Sequence, residues 1–336
     1  MSAGREVAAE QPLAARVFAR LADGGFHSGE DLASSLGVTR SAIWKATRSL
    51  RELGTELEAV RNRGYRLAHP AEALDAGKIR AQLPPAARER LARIETAWSI
   101  ASTNTELLAR PFPRVGTGEA LLAEYQTAGK GRRGRAWVAP PGGAICLSVS
   151  WTFPAVSQDV GALGLVIGVC VLRALRALGL EGVGLKWPND LLHAGRKLGG
   201  ILIELRAEAS GPACVVVGLG VNVALAPGLV ERIAATGIEA TDLRQAGLVA
   251  ARNTVAAALL ASLIEGLLEF EQSALKPFLA EWRDADALRG RPVNVSGAEG
   301  TAKGLARGID VHGALLVETP HGLQRFISGD VTVRPD

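Results

Sequence analysis

Gly129-Lys130-Gly131-Arg132-Arg133-Gly134, followed by Arg135-Ala136-Trp137 and then Pro140-Pro141-Gly142-Gly143, is the stretch on which the fold turns. Its letters satisfy the G-x-G-x-x-G dinucleotide pattern. That pattern must open a helix, however, and about twenty residues later it needs an acid for the ribose. Here prolines and glycines follow, then strand-like residues, and Ser148-Val149-Ser150 occupy the acid's place. The sequence therefore argues against a Rossmann domain. What remains is a glycine-rich loop bearing Lys130, Arg132, Arg133 and Arg135, able to approach a phosphate closely and surround it with positive charge. Repulsion among those charges predicts a loop that is mobile until an anion fills it. A solvated basic turn is the plainer alternative.

Outward from the loop, strand-like runs at Ala120 to Glu124, Ala144 to Trp151, Gly184 to Lys186, Gly200 to Leu205 and Cys214 to Gly218 alternate with helical stretches. The helices are expected at about Ser102 to Ala109, Asp159 to Leu178 and Arg252 to Glu271. This alternation implies an enzyme-sized α/β or α+β domain. Polar clusters border its apolar runs: Ala101-Ser102-Thr103-Asn104, Gln126, Lys186-Trp187-Pro188-Asn189-Asp190, Arg196-Lys197-Leu198-Gly199-Gly200 with Ile201-Leu202-Ile203-Glu204, and Gly218-Leu219-Gly220-Val221-Asn222. Strand and helix ends meet clefts in this way. Taken singly, each has an ordinary reading: Ser102-Thr103 as a helix cap, Lys197 as a surface lysine, Pro188-Asn189-Asp190 as a turn.

Upstream, Leu13, Val17, Phe18 and Leu21 form one helical stripe that Gly24-Gly25 ends. A short helix from about Glu30 to Leu36 follows Ser28. Beyond the break at Gly37, Thr39 caps a longer helix whose core stripe is Ile43, Ala46, Thr47, Leu50 and Leu53. Two short strands, about Glu56 to Val60 and Gly64 to Leu67, make a basic wing around Arg61-Asn62-Arg63-Gly64. Between Arg40 and Arg66 lie seven basic residues and three acids, so this segment alone carries the chain's formal net charge of +4. A neutral body with one basic module points to a polyanion as partner. The pattern is that of a winged helix-turn-helix, with base-edge contacts expected from Arg40, Ser41, Lys45 or Arg48 and phosphate contacts from Arg61, Arg63 and Arg66. A helical bundle with a charged face is the competing reading.

The 336 residues are 48% hydrophobic and 21% charged, which excludes disorder and collagen-like repeats. Cys146, Cys170 and Cys214 are odd in number and widely spaced, offering neither a disulfide framework nor a Cys-x-x-Cys site, and fit a reducing cytoplasm. Met1 to Gln11 carries charges and no continuous apolar run, so no signal peptide is expected. The most apolar stretch, Val160 to Leu172, falls short of the ~20 residues that cross a bilayer, so a soluble protein without a membrane partner is expected. His69-Pro70 ends the wing, and an Ala-rich charged stretch with Pro84-Pro85 marks a boundary. Beyond Arg289, strand-like runs at Pro292 to Ser296, Thr301 to Ile309, Leu315 to Glu318, Leu323 to Ile327 and Val331 to Val333 suggest a small β-barrel. The expected domains are residues 1–70, 71–288 and 289–336.

Together the Ser-Thr-Asn triplet, the Gly-Lys-Gly-Arg-Arg-Gly loop, Lys-Trp-Pro-Asn-Asp and Arg-Lys-Leu-Gly-Gly-Ile-Leu-Ile-Glu, in this order, resemble the bacterial bifunctional biotin protein ligases that also repress the biotin operon. The resemblance covers essentially the whole chain. It implies a multidomain α+β fold: a winged helix-turn-helix, a mixed α/β biotin/lipoate-ligase-like catalytic domain, and an SH3-like barrel. It also implies a two-step reaction in which biotin and ATP give biotinyl-5′-AMP, and a lysine of apo biotin carboxyl carrier protein, from acetyl-CoA carboxylase, displaces AMP. On the matching positions, Ser102, Thr103, Asn104 and Gln126 would bind biotin. Lys130, Gly131 and Arg132 would form a lid, and Lys197 with Arg132 would act catalytically at the carboxylate and phosphate. Arg132, Asn189 and Asn222 would meet the nucleotide, and Asp190 would hold Mg²⁺. Operator DNA and a homodimer formed on adenylate binding complete the implied partners. Ala101 stands where relatives often have an acidic or polar residue, and Lys130 where arginine is frequent, keeping charge but losing the planar fork. The alternatives are a non-catalytic sensor, a ligase whose winged helix serves only structure, and a lipoate ligase.

Overall fold

The computed structural model describes residues 11–155, 158–207, 211–297, 300–327 and 332–335. Residues 1–10, Val331 and Asp336, which fall within the N-terminal and C-terminal expectations above, lie outside the described residues.

The basic module has α1 (Leu13–Leu21), α2 (Gly29–Leu36), α3 (Arg40–Glu52), β1 (Leu57–Val60) and β2 (Gly64–Leu67). Ser28 caps α2 through Asp31 N, Gly37 ends it in the left-handed region, and Thr39 caps α3 through Ala42 N. Val17, Phe18, Leu21, Leu32, Ile43 and Leu50 fill its core. The strands pair antiparallel, Val60 opposite Gly64.

Two short helices, α4 (Ala76–Gln82) and α5 (Pro85–Arg90), occupy the stretch expected to be a boundary. Asp75 caps the first through Lys78 N, and Pro85 opens the second. The central body continues with β3 (Leu91–Ile100), α6 (Thr103–Ala109), β4 (Gly118–Gln126), β5 (Ala144–Phe153), α7 (Leu163–Ala177), β6 (Val183–Lys186), β7 (Asp190–His193), β8 (Arg196–Ala207) and β9 (Ala213–Asn222). Three helices close it: α8 (Pro227–Ala234), α9 (Arg252–Ser273) and α10 (Leu279–Asp284). The sheet order is β3-β4-β5-β9-β8-β7-β6, with only β3 and β4 parallel.

Along β5, Ile145, Leu147 and Val149 join the main core with α7 and α9. Cys146 and Ser148 alternate with them and face the other way, toward Trp137 and α6. The segments Asp159–Ala177 and Arg252–Ser273 are long and apolar enough to cross a membrane, longer than the apolar stretch Val160 to Leu172 picked out above, and two-thirds of the most apolar window of each is buried within the protein. The C-terminal sheet, β10 (Pro292–Gly297), β11 (Gly300–Ile309), β12 (Leu315–Thr319), β13 (Gly322–Phe326) and β14 (Thr332–Pro335), has the order β13-β12-β11-β10-β14. Its Val293, Val295, Ile309 and Leu315 share the central core.

Candidate active site

The polar face of the central sheet has a floor without side chains. Gly218 and Gly220 on β9 pair with Ser148 and Cys146 of β5 on one side and with Leu202 and Gly200 of β8 on the other. A Cβ built at Gly220 would lie 2.5 Å from Trp137 Cε2 and Cζ2, one at Gly218 would overlap Asn104, and one at Gly200 would meet Lys197 Nζ at 3.6 Å. Directly paired residues point their side chains to one face. Trp137, Asn104 and Lys197 are therefore gathered over the same bare platform. Aromatic ring, amide and ammonium form the walls of a cradle.

Lys197 donates from Nζ to Asp190 Oδ1 at 2.6 Å, each side chain about one-fifth exposed, at 22% and 21%. Its backbone is held between strands and loop: Lys197 N donates to Glu239 O and Thr241 N to Lys197 O. The Asn222 amide, read from the sequence as a nucleotide contact, instead donates to Thr241 O at 2.9 Å and Lys197 O at 3.4 Å, clamping that loop beside the lysine. Asn189 likewise donates to Ile201 O at 2.7 Å, bracing the turn after the cis Trp187-Pro188 bond. Trp187 is buried and donates to Gly313 O, tying this motif to the C-terminal sheet. Asp190, expected to be a metal ligand, is paired with Lys197. Among the described residues no three His, Cys, Asp or Glu side chains form a metal-binding group.

At the other end of the cradle, Ser102 caps α6 by accepting from Thr105 N, so the cap reading and the site reading coexist at one residue. Thr103 donates from both N and Oγ1 to Gln126 Oε1, at 2.8 and 3.2 Å. The Asn104 amide is spent within the protein, on Ser148, Glu204 and Leu202 O. Ser148 and Glu204 stand in the quoted segments without an assigned role, because their partner at position 104 is 44 and 100 residues away.

The basic loop closes on itself. Gly131 N donates to Arg135 O, Arg135 N to Arg132 O and Trp137 N to Gly129 O, so Trp137 forms the loop's stem. Lys130 and Arg133 are exposed, and Gly131 and Arg132 half-buried. Burial pushes the Cys146 thiol beside this stem up to about 11.

Two residues before Gln126, Glu124 is buried and ion-paired with Arg252 at 2.8 Å. Its carboxylate also accepts from Leu74 N and Gly142 N, while Arg252 donates to Glu72 O and Ala144 O. Gly142 lies against Phe18 and Ala71, and the Phe18 ring packs on Trp98 with centroids 5.6 Å apart. The loop's exit, the interdomain segment and the basic module thus meet around one buried pair.

On that module Arg40, Ser41, Lys45 and Arg48 are exposed on one helix and Arg61 and Arg63 on the wing. The Arg63 guanidinium stacks over Phe26 at 4.1 Å. Arg66, read as a phosphate contact, is paired with Glu58 at 2.7 Å.

Comparison with known proteins agrees with this layout. Residues 97–222 match the biotin/lipoate A/B protein ligase family, 15–66 an HTH domain, and 289–334 the biotin protein ligase C terminal domain. The chain is 39% identical over 316 residues to the bifunctional ligase/repressor BirA of Salmonella typhimurium, covering 94% of this chain and 95% of that protein. It is 36% identical over 246 residues to the biotin--[acetyl-CoA-carboxylase] ligase of Mycobacterium tuberculosis, covering 71% and 88%. The biotin protein ligase from Aquifex aeolicus, solved in complex with biotin and ATP, superposes with a TM-score of 0.62 at 27% identity over 73% of this chain and all of that one. A winged-helix protein with a ligase-type sheet is the class these features define. The chain belongs to the biotin protein ligase family, in its bifunctional ligase/repressor branch.

Proposed function

We propose that this chain is an ATP-dependent biotin protein ligase that forms biotinyl-5′-AMP, transfers biotin to a lysine of apo biotin carboxyl carrier protein, and represses biotin-synthesis genes when the adenylate is bound. The observation that carries the reading is the placement of Lys197 Nζ and the lid stem Trp137 on one face of the Gly200–Gly220 floor. An anionic carboxylate attacking an anionic α-phosphate needs its charge cancelled where the new bond forms, and Lys197 with Arg132 supplies that. Ser102, Thr103 and Gln126 offer hydroxyls, backbone and amide to a ureido ring. Lys130, Gly131 and Arg132 cover the mixed anhydride and exclude water.

In the first step the carboxylate oxygen bonds to the α-phosphorus as the bond to pyrophosphate breaks. In the second, the carrier's ε-amine attacks the acyl carbon, AMP leaves with the bonding pair, and the amine proton passes to solvent. Asn222 and Asn189 act by holding the Lys197 and Ile201 backbones. Asp190, whose carboxylate lies beside Lys197 Nζ, would hold a magnesium ion brought in with the nucleotide, and that ion would supply further positive charge at the phosphates.

We assign residues 1–70 to operator binding, 71–288 to catalysis and 289–336 to the small C-terminal sheet domain, in a cytoplasmic protein. Exposed Arg40, Ser41, Lys45, Arg48, Arg61 and Arg63 would face DNA. A second copy would pair when the adenylate fills the site. Among the described residues, β7 leaves β8 beyond Gly200 without a strand on its outer side, which supports such pairing.

Incubation with biotin and α-labelled ATP tests the enzyme: labelled adenylate is expected, and its absence sinks the ligase reading. Mobility shifts on DNA upstream of biotin-synthesis genes, with and without biotin and ATP, test the repressor. Binding undiminished by charge reversal at Arg40, Lys45 and Arg63 counts against those residues as DNA contacts.

A further inference from the structure

Asn104 ends the Ser102-Thr103-Asn104 turn, yet its polar atoms are committed inside the protein. Oδ1 lies 2.5 Å from Ser148 Oγ, itself fully buried, and Nδ2 donates to Glu204 Oε2 at 2.8 Å and to Leu202 O at 3.4 Å. The amide rests on Gly218, where no side chain would fit. Three strands, β5, β9 and β8, therefore grip this one residue. Gln126 holds the same turn through Thr103, whose Oγ1 also lies 2.6 Å from Ser148 Oγ.

Of these tethers, only the one to Glu204 is charged, and charge-assisted hydrogen bonds are about twice as strong as neutral ones. Ser148 and Gly218 sit in the middle of the sheet, fixed by neighbours on both sides. Glu204 is half-buried on the part of β8 that β7 does not reach. It is the tether whose removal leaves the sheet intact.

We propose that Glu204 is a positioning residue for biotin: acting through Asn104, it fixes the Ser102 and Thr103 groups that hold the ureido ring, without touching the ligand. The inference rests on the ligase reading above. With Glu204 truncated, the buried Asn104 amide loses its main acceptor and swivels, and Ser102 and Thr103 move with it.

The experiment is steady-state kinetics and biotin calorimetry on the full chain and on Glu204→Ala, Glu204→Gln and Ser148→Ala. Glu204→Ala raises KM and Kd for biotin about tenfold, the loss expected when a charged acceptor is withdrawn from a buried amide. KM for ATP and kcat stay within about twofold of the unmodified protein on the same reasoning. Glu204→Gln, which still presents a carbonyl oxygen to Asn104 but no charge, restores part of the biotin affinity. Ser148→Ala, which cuts a second tether, raises the same KM. A role in stability alone would lower the melting temperature and leave the biotin constants untouched; that result, or a Glu204→Gln variant as impaired as Glu204→Ala, overturns the proposal. If the unmodified chain binds no biotin, the ligase reading itself fails. Biotin binding that is equal in all four proteins refutes the positioning role alone.

Discussion

Replacing Glu124 with Gln is the most severe single change the structure predicts away from the chemistry. The Glu124 and Arg252 side chains are 7% and 3% exposed, so the substitution leaves a guanidinium buried without its counter-charge. Breaking one partner of such a pair costs about 3–5 kcal/mol. At ~2–4 °C per kcal/mol for a domain of this size, the melting temperature should fall by roughly 6–20 °C. The damage is not confined to the pair. Leu74 N and Gly142 N both donate to this carboxylate, so the interdomain segment and the exit of the basic loop should loosen together, and Phe18 should lose a firm surface to pack on. Urea unfolding followed by circular dichroism measures the loss for Glu124→Gln, Arg252→Met and the Glu124→Gln/Arg252→Met double variant. The expected result is a double variant that loses less than the sum of the two single losses. Loss of less than about 1 kcal/mol in Glu124→Gln, or additive losses in the double variant, would refute the account of this pair as one unit.

Other expectations concern the site. Lys197→Ala should cut adenylate formation by about 10²–10³ with the fold intact, read by single-turnover label transfer, and unchanged turnover would overturn its assignment. Arg132→Gly should still form the adenylate but release it early; biotinyl-5′-AMP appearing in the filtrate is the sign, and a normal retention half-life argues against a lid role. Gly220→Ala places a methyl 2.5 Å from the Trp137 indole, so the ring must retreat by about 1 Å to reach ordinary contact. The variant should show altered indole fluorescence and faster adenylate escape, and an unchanged escape rate would contradict Trp137 as the lid stem. Burial pushes Cys146 up to about 11 and Cys170 up to about 12, and raises Cys214 as well, so at neutral pH the thiols stay protonated. Iodoacetamide should modify them only after unfolding, and rapid labelling of the folded protein would show that they are not enclosed.

Local chemistry made much of this molecule readable in advance. Ser28 and Thr39 cap the helices they precede in sequence, and Gly37 ends one with a positive φ, because caps and turns act within a few residues. The helices at Ala76–Gln82 and Pro85–Arg90 escaped notice for a related reason. Each spans barely two turns, too short for a hydrophobic stripe to declare itself, and the signals present, Asp75 and Pro85, also suit a linker. The site divides along the same line. Lys197 and the basic loop announce themselves by charge beside glycine, and the structure puts Lys197 and Trp137 over one floor. Asn104 and Asn222, by contrast, look like ligand contacts in a motif, whereas the structure shows their amides hydrogen-bonded within the protein, to partners set by strands far away in the chain.

The glycines of that floor show why the motif's letters carry more than one demand. Gly218 and Gly220 would ordinarily be poor strand residues, weakening the sheet by the side chains they lack. At Gly218 the missing Cβ admits Asn104, and at Gly220 it admits Trp137. The first exchange anchors the Ser102-Thr103-Asn104 turn, and the second brings the stem of the basic loop down to the sheet. Loss of strand propensity at two central positions is thus offset by close packing that a β-branched residue would forbid. An alanine at position 218 would strike the Asn104 tether directly and should mimic Glu204→Ala in its biotin constants, whereas an alanine at 220 should act on release. Two substitutions of the same kind, on one strand, should therefore separate binding from retention. If both variants altered only biotin affinity, or both only release, the division of the floor into an anchoring glycine and a lid-seating glycine would be wrong.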